Sequence, residues 1–90
     1  MKKIIDVRVE PNRWLRVRFN DHFDGVFDLN PLIDRNTVLT TPLRDPEFFG
    51  RVYLELGALA WPNGLELSPD SVHAELSAAG RLVRNRAAAA

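Results

Sequence analysis

The 90-residue sequence contains no cysteine. Disulfides, thiolate nucleophiles and zinc-thiolate sites are therefore excluded together, and a reducing, cytoplasmic location is expected. Long hydrophobic runs are also missing. The apolar run at Ala58–Trp61 is far too short to span a bilayer, and no signal sequence follows Met1. We therefore expect a soluble protein without a membrane partner.

An excess of either charge is absent as well, because 12 basic side chains balance 12 acidic ones. This balance disfavours a surface built mainly to neutralise phosphates or anionic lipids, although a local basic patch remains compatible with it. With 46% hydrophobic residues in 90 positions, the chain can bury one modest core and has no room for a second. A single small domain is expected.

Two stretches near the N-terminus alternate apolar and polar residues with a period of two, which predicts two half-buried strands. Their apolar sets share one face only if the loop between them has an odd length, and Pro11–Arg13 supplies three residues. This register places Val9 opposite Leu15 and Val7 opposite Val17. The alternating apolar positions are Ile5, Val7, Val9, Leu15, Val17 and Phe19.

The same parity argument predicts a third strand that pairs Phe19 with Phe27. The loop would then be His22–Asp24, with Gly25 as a bulge. In this arrangement the second strand is central.

The stretch Trp61–Val72 carries the densest local signals. Asn63-Gly64 tolerates positive φ at both corners of a two-residue turn, so Trp61-Pro62 and Leu65-Glu66 should run antiparallel. Ser68 then caps a helix with Pro69 in its first position. The remaining expected features are Asp70 in the first turn, a hydrophobic staple between Leu67 and Val72, an apolar stripe at Val72, Leu76 and Ala79, and a stop at Gly80.

Between these regions the signals are shorter. A turn should follow Asn30, a loop should cover residues 34–41, and Asp45 should cap a short helix that ends at Gly50. Val52, Leu54 and Leu56 then resume strand alternation before a turn at Gly57. We expect one α+β domain over residues 1–80, with a mainly antiparallel sheet of about five short strands, a short middle helix and a C-terminal helix. Residues 81–90, with Arg81, Arg84 and Arg86, are expected to form a basic, alanine-rich tail.

The order of these features resembles the small bacterial family known as domain of unknown function 2442, over about Ile4 to Leu76. The resemblance implies a compact α+β domain, sometimes encoded beside another small protein in a toxin-antitoxin-like pair, and it implies no established activity. Glu66, where aspartate is more frequent, and His73 depart from the family pattern. The matching residues are Phe19, Asp21, Gly25, Asp28, Leu29, Leu43, Asp45, Phe49, Trp61, Pro62, Asn63, Gly64, Glu66, Leu67, Ser68, Pro69 and Asp70.

Catalytic and metal-binding patterns are weak. Asp21–Gly25 with Asp28 contains potential ligands, but an EF-hand register places Pro31 where a bidentate glutamate is required. We interpret the cluster as a solvated hairpin tip, and we expect no metal or cofactor. An enzyme would need a pocket that unites His22 or His73 with a carboxylate, so enzymatic activity is not expected.

The outward side chains of the first hairpin are the main candidates for binding. Trp14, Arg16 and Arg8 combine an aromatic group with cations, which suits a protein contact or a single-strand nucleic-acid platform. Acidic neighbours at Asp6, Glu10 and Asp28 cancel much of the positive field, which favours a mixed-charge solvated face over a nucleic-acid platform. If Trp14 is not shielded by a loop or the terminal helix, a protein contact is the better functional interpretation. Phe23 at the loop tip is a further candidate, whereas Trp61 is expected to lock its hairpin to the sheet.

These observations predict a non-enzymatic protein-interaction or regulatory module. Its expected partner is another protein, for example a small toxin-like neighbour, and a homo-oligomer is also compatible. The alternative is a nucleic-acid-binding accessory domain that uses the basic face of the first hairpin.

Overall fold

The computed structural model describes residues 1–85. Arg86 and the four alanines of the predicted tail lie outside these residues. Three short helices and seven strands form in the described part, so the α+β prediction is confirmed, with two strands more than expected. The helices are α1 (Asn30–Ile33), α2 (Pro46–Phe49) and α3 (Pro69–Ala78); the strands are β1 (Ile4–Glu10), β2 (Trp14–Phe19), β3 (Phe23–Asp28), β4 (Tyr53–Glu55), β5 (Ala58–Ala60), β6 (Glu66–Leu67) and β7 (Val83–Arg84).

The strands form two antiparallel sheets, in the orders β1-β2-β3-β7 and β4-β5-β6. In the first sheet Val9 pairs with Leu15 and Val7 with Val17, as the length of the Pro11–Arg13 loop predicts. β2 lies between β1 and β3, which confirms that the second strand is internal.

The start of β1 differs from the prediction because a β-bulge interrupts the register between Ile4 and Asp6. Ile4 pairs with Phe19 and is 2% exposed, whereas Ile5 is 55% exposed. A bulge inserts one extra residue and changes which side chains face the core. Ile4 therefore takes the buried position that strict alternation assigns to Ile5.

The predicted β3 register is wrong. Phe27 pairs with Leu15 rather than with Phe19, and Gly25 pairs with Val17 as a regular strand residue. The turn precedes Phe23, and His22 adopts a positive φ of 69° within it. Phe27 nevertheless keeps the buried face, because moving the pairing by an even number of residues preserves side-chain direction.

The β4–β5 connection is a tight turn with an unfavourable residue. Glu55 pairs with Ala58, so the loop contains only Leu56 and Gly57, whose φ angles are 50° and 86°. Both angles are positive, as a type I′ turn requires. Leu56 is 89% exposed, so it does not continue the predicted apolar face of the strand. The Gly57 carbonyl accepts a hydrogen bond from the Ile4 amide at 2.9 Å, which links this turn to β1.

The Asn63-Gly64 turn forms, but with three loop residues rather than two. The Trp61 amide donates to the Leu65 carbonyl at 3.0 Å, which leaves Pro62, Asn63 and Gly64 between them. Only Gly64 of these three has a positive φ, 92°. This matches a type I turn followed by a left-handed residue.

Both predicted helix starts after Asp45 and Ser68 are observed. The Asp45 carboxylate accepts the Glu47 amide at 3.0 Å. Ser68 has the extended backbone of a capping residue, although its side chain makes no capping hydrogen bond, and Pro69 follows it in the first turn.

The C-terminal end of α3 is closed at Gly80. The Gly80 amide donates to Ser77, and the Arg81 amide donates to Leu76 at 2.8 Å. These two bonds, with Gly80 at a φ of 69°, form a Schellman motif. Val72 and Leu76 are buried, but Ala79 is exposed, so the apolar stripe of α3 is shorter than predicted.

Beyond Gly80 the chain returns to the first sheet. Val83 pairs with Asp24 and Arg84 with Phe23, which forms β7 in the segment assigned to a tail. The Asn85 amide then donates to the His22 carbonyl at 2.6 Å. At the same turn, Nδ2 of Asn20 donates to the Met1 carbonyl at 3.0 Å.

One core joins the inner sheet face, the second sheet and α3. Trp61 lies within it, 1% exposed, and donates through Nε1 to the Phe49 carbonyl at 3.1 Å. Among residues 1–85 no helix has the length and apolar character to cross a bilayer. The clustered buried residues are Ile4, Leu15, Val17, Phe19, Phe27, Leu29, Ile33, Leu43, Phe49, Leu59, Trp61, Leu65, Val72 and Leu76.

Candidate interaction surface

The first sheet buries one face and leaves the other, the outer face, in solvent. Strand alternation assigns ten side chains to the outer face, and each of them is at least partly exposed. We define the outer face by these residues: Asp6, Arg8, Glu10, Trp14, Arg16, Arg18, Asp24, Val26, Asp28 and Val83.

An apolar diagonal crosses the outer face. The diagonal consists of Trp14 on β2, Val26 on β3 and Val83 on β7. Each is a diagonal neighbour of the next, because Arg16 pairs with Val26 and Asp24 pairs with Val83. Diagonal neighbours in a sheet lie within reach of an aromatic side chain. Trp14 is 37% exposed and Val83 66% exposed. Apolar area thus remains in solvent across three strands.

Six of the seven charged groups of the outer face form ion pairs with one another, and Asp28 is the exception within residues 1–85. Nε of Arg8 lies 3.3 Å from Asp6, Nε of Arg16 lies 3.6 Å from Glu10, and Nε of Arg18 lies 3.2 Å from Asp24. Arg8 also stands opposite Arg16, as the hairpin register predicts. Each arginine therefore has a carboxylate beside it, and the positive field above the face is largely cancelled.

A shallow depression lies beside Val26 and Val83, at the end of the diagonal away from Trp14. It encloses about 220 Å³ and is lined by Arg16, Asp24, Gly25, Val26, Arg81 and Val83. Such a volume is below that of ordinary small-molecule pockets, so it suits one inserted side chain better than a metabolite.

Three of the four predicted interaction residues meet on this surface. Trp14, Arg16 and Arg8 share the outer face, whereas Phe23 pairs with Arg84 on the opposite side and is half-buried. Sequence reasoning missed Val26 and Val83. The register error in β3 hid Val26, and Val83 falls in the segment interpreted as a tail. The apolar pair Leu82-Val83 in the Arg81–Arg84 stretch is the signal that could have indicated β7.

A second polar cluster lies at the turn between β2 and β3, around Asp21. Nε2 of His73 is 2.7 Å from Oδ2 of Asp21, and Nζ of Lys2 is 3.1 Å from the same oxygen. The Phe19 ring contacts the imidazole edge-on, with centroids 4.8 Å apart. Burial raises the pKa of Asp21, but the hydrogen bonds from Lys2, His73 and the Phe23 amide outweigh it, so the pKa lies below its usual value.

This cluster supplies the carboxylate partner that His73 lacks in the sequence. His22, in contrast, is exposed at the turn, so the two histidines are not gathered in one cleft. Over residues 1–85, no group of three or more histidine, aspartate or glutamate side chains is arranged to hold a metal ion. The contacts that are present join α3 and the N-terminal segment to the β2–β3 turn.

Comparison with curated proteins gave no match, and neither did comparison with solved structures. A family model described as "Protein of unknown function (DUF2442)" matches residues 4–76, which is well over half of the chain. The matched region contains β1 to β6 and most of α3. The chain therefore belongs to the DUF2442 family.

Proposed function

We propose that this domain is a non-enzymatic protein-interaction module whose outer face docks a partner protein. The observation that carries the proposal is the partly exposed diagonal of Trp14, Val26 and Val83, on a sheet face that no other segment of residues 1–85 covers. Tryptophan flanked by arginine is the side-chain combination that most often dominates the energetics of protein interfaces. The depression beside Val26 offers space for one anchoring side chain of the partner.

The charge arrangement favours a protein over a polyanion. Arg8, Arg16 and Arg18 are already paired with carboxylates, so a phosphate backbone would have to displace Asp6, Glu10 and Asp24. A protein surface with alternating acidic and basic groups can instead exchange partners with these ion pairs at the rim. The partner we propose therefore presents an apolar side chain surrounded by charges of both signs.

The resemblance to a bacterial family whose members are sometimes encoded in toxin-antitoxin-like pairs supports a regulatory role. In this proposal the domain neutralises or regulates a second small protein made from the adjacent gene. The outer face is the surface that this protein would cover.

Co-expression with the adjacent gene product tests the proposal. The wild-type domain and Val38→Ala, which truncates an exposed valine off the outer face, should retain the complex. Trp14→Ala and Arg16→Ala should weaken it, by about tenfold or more for Trp14 if it is an anchor. Circular dichroism confirms that each variant is folded. Failure to form a complex, or a complex indifferent to Trp14→Ala, would refute the proposal.

A salt titration separates the nucleic-acid alternative. Fluorescence anisotropy with a labelled single-stranded oligonucleotide measures binding at increasing salt concentration. We expect no binding that depends on the outer face. An affinity that falls steeply with salt and is lost in Arg8→Ala/Arg16→Ala would assign the face to nucleic acid instead.

A further inference from the structure

A second concave surface lies on the other side of β3, between α1 and α3. We call it the α1–α3 groove, and it encloses about 310 Å³. Phe27 and Asp28 contribute from the end of β3, Pro31 and Leu32 from α1, and Val72 and Glu75 from α3. The groove contains none of the three apolar residues of the outer-face diagonal, and Asp28 is the one outer-face residue in its lining.

The bottom of the groove is apolar. Phe27 is 8% exposed and Val72 is 2% exposed, and the half-buried Leu32 and Leu67 also line it. These side chains belong to the core or pack against it, so the floor is rigidly supported.

The rim of the groove is predominantly acidic. Asp28, Glu66 and Glu75 line it with a single cation, Arg35, so the rim carries a formal charge of −2. Within residues 1–85 none of these four groups takes part in an ion pair. Asp28 accepts hydrogen bonds from the amide and the side chain of Asn30. The arginines of the outer face, by contrast, each have a carboxylate beside them.

A neighbouring cavity of about 220 Å³ extends the groove along α3. It shares Phe27, Asp28, Pro31 and Glu75 with the groove and continues to Ala79. Its other lining residues are Val26, Leu76 and Arg81. The exposed position of Ala79 therefore forms part of a concave surface that runs beside the helix. An elongated occupant fits this shape better than a compact one.

We propose that the α1–α3 groove binds a basic segment of a protein partner. The aliphatic stem of a lysine or arginine would lie on Phe27 and Pro31, and its charged end would reach the carboxylates at the rim. A neighbouring apolar side chain of the same segment would contact the floor at Val72. Acidic rim and apolar floor together specify a ligand that is both cationic and hydrophobic.

This proposal does not depend on the outer face. The two surfaces share Asp28, and the neighbouring cavity reaches Val26 of the diagonal, but neither of these residues is changed in the variants that separate the two proposals. Substitutions at Trp14 should leave groove binding intact, and substitutions at the groove rim should leave docking on the outer face intact. Failure of one proposal is therefore distinguishable from failure of the other.

A defined peptide provides the test. The probe is an acetylated and amidated pentapeptide of alternating leucine and lysine, titrated into the isotope-labelled domain. Amide shifts in the nuclear magnetic resonance spectrum should centre on Phe27, Asp28, Leu67 and Glu75. Glu66→Gln/Glu75→Gln should raise the dissociation constant about three- to tenfold, as loss of two partly exposed ion pairs requires.

The chain offers a charge-matched control. Glu47→Gln/Glu55→Gln removes the same two charges from exposed positions outside the groove and should leave the affinity unchanged. A leucine-glutamate pentapeptide should not bind. Equal weakening in both double variants, shifts centred on the outer face, or no binding of the lysine peptide would overturn the proposal. Spermidine binding as tight as peptide binding would also overturn it, since a small polyamine needs no apolar floor.

Discussion

Nε2 of His73 lies 2.7 Å from Oδ2 of Asp21, although the two residues are 52 positions apart in the chain. The same carboxylate oxygen accepts a hydrogen bond from Nζ of Lys2, so Asp21 joins the N-terminal segment, the β2–β3 turn and α3. A carboxylate that accepts several hydrogen bonds in the folded state makes a contribution to the free energy of unfolding that depends on pH.

Replacing Asp21 with asparagine should lower the free energy of unfolding at pH 7 by about 1 kcal/mol, since charge-assisted hydrogen bonds are lost at a partly exposed site. In the folded protein the pKa of Asp21 lies below its ordinary value of 3.8. Its stabilisation is therefore complete above the unfolded-state pKa and disappears as the pH falls through the folded-state value.

Urea denaturation at a series of pH values measures this effect. The curves of the wild type and of Asp21→Asn should converge in strongly acidic solution and separate towards neutrality. Asp34→Asn, at an exposed position, is the control and should show no such separation. A difference that persists unchanged at the most acidic pH would contradict the assigned role of Asp21.

Trp61→Phe should destabilise the domain by about 2 to 4 kcal/mol. The variant leaves a cavity in the core and removes the donor that satisfies the Phe49 carbonyl. Trp14→Phe makes the same chemical change on the outer face, where we expect an effect below about 0.5 kcal/mol. Chemical denaturation compares the two, and equal losses would show that Trp61 is not the core anchor described above.

Leu56→Asn should stabilise the domain by about 1 kcal/mol. Leu56 has a φ of 50° while almost fully exposed, and asparagine tolerates this left-handed conformation better than leucine. Val38→Asn replaces another exposed apolar residue, 91% accessible, and is expected to change the midpoint of thermal unfolding little. A lower midpoint for Leu56→Asn would mean that the leucine side chain makes a stabilising contact.

Gly57→Ala should destabilise the domain more than Gly64→Ala. Both glycines have a positive φ, so both substitutions carry a backbone penalty of about 1 kcal/mol. A Cβ on Gly57 would lie 2.7 Å from Cβ of Lys3, whereas one on Gly64 would meet no atom within 4 Å. The difference between their unfolding free energies isolates the contact with Lys3. Equal losses would rule out that contact as a constraint.

The local parts of the fold were predictable from the sequence. The odd length of Pro11–Arg13 was sufficient to pair Val9 with Leu15, and Asp45 and Gly80 marked helix boundaries through their own backbone preferences. The bulge was not predictable, because Ile4 and Ile5 are equally apolar and only tertiary packing chooses between them.

Features that depend on distant segments were missed. The turn at Gly57 was predicted, but Leu56 was assigned to the strand, whereas it forms the first residue of the turn against the preference of leucine. The hydrogen bond from Ile4 links this turn to β1. Strand β7 forms because β3 offers an unpaired edge, which the composition of the C-terminal segment does not reveal. The pairing of Asp21 with His73 likewise leaves no local pattern.

The hydrogen bonds of Met1 to Asn20 and of Asn85 to His22 bring the first and last described residues to the same turn. A circularly permuted chain, closed by a short linker between residues 1 and 85 and opened in the loop at 34–41, should therefore retain its strand order. Reporter groups attached at residues 1 and 85 would both project from the corner of the domain beside the β2–β3 turn.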